Sequence, residues 1–436
     1  MKFAFFLTLN AILLIRPEEL FPAITGLRLY LIVIVLCTLL TLPELLHLLS
    51  WDSLRQRPVS VCVLLYYAST IVSLCVLGRV SEALTDFGPE FAKVILFYFL
   101  LIAIVDGEEL FRAYIVALLA FIVVLTAIAL AQHYSYASFP NIEPAMQREY
   151  DPETGEEYWI ARLASSGIFS DPNDLCLILG LGILCCIYLT ATGTLPLVDR
   201  LLWLLPIPLF VYAMLETHSR GGVLGVLAGV GSYIYARYGG PKSLPFAIAG
   251  SFASLALIGG RQGNISGGGT AHDRVMTWAD GLGNLFRQPL YLPTGLGIGW
   301  FANENGLVAH NSFVQAYIEQ GIFGGGAFLG AFLLAAWMTH RLGKSLAAPI
   351  WTIRARPFGF AVICGYGIGC YSLTRNTVIP TYLVIGLASL LLEPSAELLP
   401  EKHCVTKRWF GRGILFSLAG LVGIKYATQL LGLAGI

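Results

Sequence analysis

Apolar residues run in long blocks separated by short polar stretches along the whole chain. Blocks near 3–16, 24–47, 59–78, 89–105, 113–131, 174–193, 200–217, 220–236, 243–259, 313–338, 356–374, 378–393 and 412–430 approach the roughly 20 residues a helix needs to cross a hydrocarbon core. Backbone groups in lipid must bond within their own segment, so these blocks predict helices. The alternation of barrel strands is absent. The pattern predicts an all-α polytopic membrane protein of about 12 transmembrane helices, forming a single integral membrane domain over residues 1–436. Lys2 followed by the apolar Phe3–Ile15 resembles a signal peptide. No small-x-small cleavage site follows, so it reads as an uncleaved first helix.

Two long polar segments interrupt the blocks, at 132–173 and 260–311. The first is acidic, with Glu143, Glu149, Asp151, Glu153, Glu156 and Glu157. The second opens on Gly267-Gly268-Gly269. It continues with Val275, Trp278, Leu282, Leu285 and Phe286 at helical spacing, which suits a short helix lying on the bilayer. Gly295, Gly297 and Gly299 follow no strand, so they predict a tight irregular surface turn and not a dinucleotide site. Lys and Arg gather in the loops on one side: Arg55, Arg57, Arg112, Arg200, Arg237, Lys242, Arg341, Lys344, Arg354, Arg356, Lys402, Lys407, Arg408 and Arg412. By the positive-inside rule that side is cytoplasmic, and both long segments face outward as periplasmic loops.

Composition narrows the class. The chain is 56% hydrophobic and 12% charged, where a soluble fold carries about 25% charged residues. Lys and Arg total 27, as do Asp and Glu, so no bulk basic field points to nucleic acid. The nine cysteines show neither metal spacing nor a disulfide framework and read as small buried hydrophobes. No HxxxH, HExxH, DxD or CxxC pattern suggests a metal.

Three constellations carry candidate chemistry. In Arg162-Leu-Ala-Ser-Ser-Gly167 to Asp174, Asp171 suits an N-cap, Pro172 the first helical position and Asp174 the positive end of the dipole. Capping leaves Arg162 and Asn173 unexplained. In Thr217-His218-Ser219-Arg220-Gly221-Gly222, Ser219 suits an N-cap, which puts Arg220 in a first turn where a cation opposes the macrodipole. A bound phosphate would resolve that conflict; a guanidinium snorkelling to the interface is the plainer reading. The third runs from Arg261 through Arg274 and Trp278 to His310-Asn311. An imidazole with an ordinary pKa near 6.5 suits a general base at neutral pH, and Arg274 lies on the amphipathic stretch before it. Glu319, nine residues on, points roughly opposite to His310 if one helix holds both. Arg375 ends a late block on the outer side, as a member of the cluster or as a helix anchor.

In this order the segments resemble the O-antigen ligase family of bacterial envelope glycosyltransferases. The likeness covers about residues 160–335 and rests on Arg162, Gly167, Asp171-Pro172-Asn173, Ser219-Arg220-Gly221-Gly222, Arg274, Trp278, Pro293, Gly295, Gly297, Gly299, His310-Asn311-Ser312-Phe313, Glu319 and Gly321. The resemblance implies a GT-C-like membrane fold with a periplasmic loop carrying short helices, in the bacterial inner membrane. It implies an inverting, metal-independent transferase without a cofactor, taking a glycan from an undecaprenyl-diphosphate carrier to a lipid or glycan acceptor. Arg220, Arg274 and His310 would be catalytic, and Arg162, Asn173, Arg261 and Asn311 would bind substrate. The partners implied are the lipid-linked donor, the acceptor and membrane lipids, with no nucleic acid. The long acidic first loop and the glycine-rich start of the second depart from the family pattern. A transporter or flippase of lipid-linked sugars would use similar arginines, and a non-enzymatic assembly scaffold is a third reading.

Overall fold

The computed structural model describes residues 1–24, 26–139, 142, 144–150, 154, 156–192, 196–243, 245, 270–305, 308–344 and 346–433. Helix takes up 78% of the chain and strand 3%. The main elements in chain order are α1 (Lys2–Ile15), α2 (Leu29–Leu40), α3 (Leu42–Leu49), α4 (Pro58–Val76), α5 (Phe87–Ile104), α6 (Gly107–His133), β1 (Ala145–Tyr150), β2 (Glu157–Arg162), α7 (Pro172–Thr192), α8 (Pro206–Glu216), α9 (Arg220–Tyr238), α10 (Thr270–Arg287), α11 (Trp300–Asn305), α12 (Ser312–Arg341), α13 (Ile350–Gly369), α14 (Ile379–Leu392) and α15 (Lys407–Leu433).

Six helices among the described residues are long and apolar enough to cross a membrane: α4, α5 with the π turn before it, α6, α7, α12 and α15. The pair α2–α3, bent by 75°, makes a seventh if counted as one span. The chain is therefore a helical membrane protein. Others of the expected dozen are apolar but short: α1, α8 and α14. The block at 243–259 lies almost wholly outside the described residues.

The all-α expectation needs one correction. In the first polar segment Ala145–Tyr150 and Glu157–Arg162 pair as an antiparallel hairpin, with Arg148 opposite Trp159 and Tyr150 opposite Glu157. An ion pair between Arg148 and Glu157 supports the ribbon.

The chain divides into two compact units. The first comprises Met1–Leu45, Leu100–Gly263 and Pro349–Gly369. Its most buried span is α7, against which α6, α8, α9 and α13 pack. Helices α9 and α13 approach through glycines: a Cβ on Gly225 would lie 2.9 Å from the Gly365 carbonyl oxygen, and one on Gly365 would lie 2.9 Å from Gly229 Cα. Small residues permit such backbone contact, which substitutes for a hydrophobic driving force inside lipid.

The second unit comprises Leu46–Phe99, Asn264–Ala348 and Cys370–Ile436. Helix α14 is buried along its whole length. A buried polar chain ties it to α4 and α12: Tyr382 Oη donates to the Asn376 carbonyl (2.9 Å), Asn376 Nδ2 to Tyr66 Oη (2.6 Å), and Tyr66 Oη to Gln320 Oε1 (3.0 Å). The apolar face of α10 (Val275, Trp278, Leu282 and Leu285) is buried against Tyr317, Ile318 and Leu421. Its hydrophobic stripe therefore packs on α12 and α15.

Candidate functional site

In the first unit the candidate residues collect where β2, α7, α8 and α9 meet. Asp171 Oδ1 accepts from the Asn173 backbone N–H at 2.9 Å and from Asn173 Nδ2 at 2.8 Å, so Asp171 starts α7 as its sequence position suggests. Arg162 closes β2 by donating from Nε to the Thr217 carbonyl (2.8 Å) just past the end of α8, a favourable place for a cation. It also donates to Asn173 Oδ1 at 3.2 Å. The same oxygen accepts from Ser219 Oγ at 2.6 Å. Ser219 in turn caps α9, accepting from the Gly222 N–H at 3.1 Å. Gly222 has no side chain to spare: a Cβ there would lie 2.6 Å from Cys176. Arg162 and Asn173 thus hold the entrance of α9 in place.

Arg220 is the first residue of α9 and is exposed. Among the described residues its side chain makes no hydrogen bond and no ion pair. The backbone N–H groups of Arg220 and Gly221 lie in the first turn, where no intrahelical acceptor exists. Guanidinium, helix N-terminus and glycine together make an anion-accepting corner. His218, just before the cap, is exposed with φ of 49°. Arg261 lies outside the described residues.

Sequence reasoning missed Arg16 and Glu19 in this unit. Arg16 ends α1 with φ of 53° and pairs with Glu19 at 3.0 Å. Its guanidinium covers Gly167, whose Cβ would fall 2.4 Å from Arg16 Nε. Glu19 Oε2 accepts from the Gly167 N–H at 2.7 Å. No sequence signal links positions so far apart.

In the second unit His310 precedes the cap of α12 and is half-buried, with φ of 49°. Asn311 is 1% exposed, and its Oδ1 accepts from the Phe313 and Val314 N–H groups, both at 3.1 Å. The structure therefore gives Asn311 the N-cap and leaves it no open face toward a substrate. Ser312 fastens this corner to the turn after α13. Its N–H donates to the Cys370 carbonyl (2.8 Å), its Oγ to the Leu373 carbonyl (2.6 Å), and its Oγ accepts from the Arg375 N–H (2.8 Å). Arg375 is thereby brought beside the start of α12.

Trp278 Nε1 donates to the Ala309 carbonyl at 2.5 Å, fixing the backbone next to His310 from α10. Arg274 lies one turn earlier on the same helix, half-buried. Burial lowers its pKa, so a bound anion would relieve the desolvation of its charge. Glu319 is 1% exposed, and its carboxylate accepts from the Gly299 N–H and from Gln315 Nε2, both at 3.1 Å. It is engaged by the glycine loop and not by His310.

That loop is a buried clip, not the surface turn its glycines suggested. Helix α12 breaks at Gly321, with φ of 66°. The freed groups find partners in the loop: Leu296 N–H donates to the Ile318 carbonyl (2.9 Å), Gly297 N–H to Glu319 (3.0 Å), Ile322 N–H to Leu292 (2.8 Å), and Phe323 N–H to Pro293 (3.1 Å). Gly295, Gly297 and Gly299 all have positive φ. Arg79 donates to the Ile298 carbonyl at 2.9 Å and pairs with Glu82, which holds its pKa above the ordinary value.

No protein-family model matches the chain, and no curated protein matches it closely enough to count as a relative.

Proposed function

We propose that this chain is a membrane-embedded inverting glycosyltransferase that moves a glycan from an undecaprenyl-diphosphate carrier to a lipid or glycan acceptor on the periplasmic face. The observation that carries the proposal is Arg220: an exposed guanidinium without a protein partner among the described residues, at a capped, glycine-lined helix start. A cation there is unfavourable until an anion arrives. A diphosphate leaving group supplies that anion, and stabilising its developing charge lowers the barrier to glycosyl transfer. Arg274 would assist. His310 would take the acceptor hydroxyl proton, with its backbone held by the Trp278 hydrogen bond and by the Asn311 cap. Arg162 and Asn173 would serve chiefly by placing Arg220. The GT-C-like architecture of about 12 crossings belongs to this reading, with short helices joining the periplasmic segments.

A second reading, a flippase of lipid-linked sugars, draws support from the broken helix α12, since transporters bind substrates at discontinuous helices. In such proteins the unwound backbone is free to coordinate cargo. Here the loop from Leu292 to Gly297 takes up the carbonyls of Ile318 and Glu319 and the N–H groups of Ile322 and Phe323. The break reads better as a clamp for the His310 segment.

Purified protein in detergent, where transport has no meaning, should join a polyprenyl-diphosphate-linked glycan to an acceptor. Arg220→Ala protein that elutes and melts normally should not. Absence of transfer by the wild-type chain with any envelope glycan donor would favour the flippase.

A further inference from the structure

The second unit also carries an open groove lined by none of the residues assigned to the proposed transfer. It encloses about 750 Å³ between α4, α12 and α15. Val72, Leu334 and Phe416 typify its lining. From Ile322 to Met338 it follows α12 for about 24 Å at 1.5 Å per residue. That is most of the roughly 30 Å hydrocarbon thickness of a bilayer.

Lys402, His403 and Arg412 line it together with Trp337 and Trp409, and no carboxylate does among the described residues. Trp337 packs edge-on against His403 with ring centroids 4.9 Å apart, and the Arg341 guanidinium lies 5.9 Å from the same indole. Burial first, then Lys402 and Arg341, holds the His403 imidazole below its usual pKa. Tryptophan and basic side chains beside an apolar slot are the chemistry of a lipid headgroup boundary.

We propose that this groove seats one anionic phospholipid, its acyl chains along α12 and its phosphate against Lys402 and Arg412. A soluble anion would leave the apolar body uncovered. A zwitterionic headgroup would bring its own ammonium up to two cations.

Delipidated full-length protein, titrated separately with phosphatidylglycerol and phosphatidylcholine and read by native mass spectrometry, tests the proposal. Wild-type protein should retain phosphatidylglycerol at least about tenfold more tightly. The Lys402→Gln, Arg412→Gln double variant should lose that preference and keep its phosphatidylcholine binding. Gly413→Trp should lower retention of both lipids, because Gly413 lines the groove and a Cβ added there meets nothing within 4 Å. Equal retention of the two lipids by the wild-type chain overturns the proposal without recourse to any variant. So does wild-type preference in the double variant, or full occupancy in Gly413→Trp. Displacement of phosphatidylglycerol by equimolar undecaprenyl phosphate would assign the groove to a polyprenyl lipid and overturns it as well.

Discussion

Replacing Gly295 by alanine is expected to unseat the loop that closes the break in α12. A Cβ at this position would lie 2.3 Å from both the carbonyl carbon and oxygen of Glu319, and 2.4 Å from Gln320 N. Those atoms are backbone and cannot swing aside, so the loop must retreat by about 1 Å. The bonds from Leu296 N–H to Ile318 and from Gly297 N–H to Glu319, now 2.9 and 3.0 Å, would then stretch past hydrogen-bonding range. Each buried group left unpaired costs about 1–3 kcal/mol, and a side chain held at positive φ adds about 1 kcal/mol. The expected penalty is about 4 kcal/mol, or roughly a thousandfold faster amide exchange at Leu296 and Gly297. Hydrogen exchange in detergent reads this directly. Gly283→Ala is the control: nothing lies within 4 Å of its Cβ, and alanine in the interior of α10 should stabilise by up to about 1 kcal/mol. If Gly295→Ala exchanges within fivefold of wild type, the clip is not what holds the broken helix together.

Asn173→Ala removes the acceptor shared by Ser219 and Arg162. It should cost about 1–2 kcal/mol in thermal unfolding; Asn173→Asp keeps the acceptor for Ser219 and Arg162 but trades the Nδ2 donor for a carboxylate facing Asp171, so it should also fall below wild type. Trp278→Phe drops the bond to Ala309 and empties part of the indole's space, so it should cost about 2–3 kcal/mol in thermal unfolding, and the folded variant should transfer glycan about tenfold more slowly; an unchanged rate in folded protein would mark Trp278 as packing alone. Arg220→Lys should slow transfer at least about tenfold, because a point charge cannot grip a diphosphate in the bidentate manner of a guanidinium; an unchanged rate would refute a bidentate grip by Arg220.

The membrane character and the site-bearing helix starts were legible in the sequence because they depend on local rules. Long apolar runs dictated α4, α6, α7 and α12, and Ser219 and Asp171 behave as their positions suggest. The failures share a cause: partners distant in sequence. Nothing local marks the Gly321 break, since apolar and small residues continue through it; the break exists because the loop at 292–297 docks there. The stripe on α10 correctly announced a buried face but not whether lipid or protein buries it. The hairpin strands stay largely exposed, Met146, Tyr158 and Trp159 included, so pairing rather than burial makes them strands. The family resemblance implies a substrate contact for Asn311, whereas its position before Ser312 makes it a cap. Arg16 came to light only through its contact with Gly167.

The central claim is that glycan transfer requires both Arg220 and His310. A double-mutant cycle in the purified glycan-transfer assay tests it most directly, using Arg220→Ala, His310→Ala and the combined variant in well-folded protein. The account predicts that each single change lowers the rate by at least about a hundredfold. It also predicts that the double variant is far less impaired than the product of the two, as for residues that act as a unit. Wild-type transfer in either single variant, or losses that multiply independently, would contradict it.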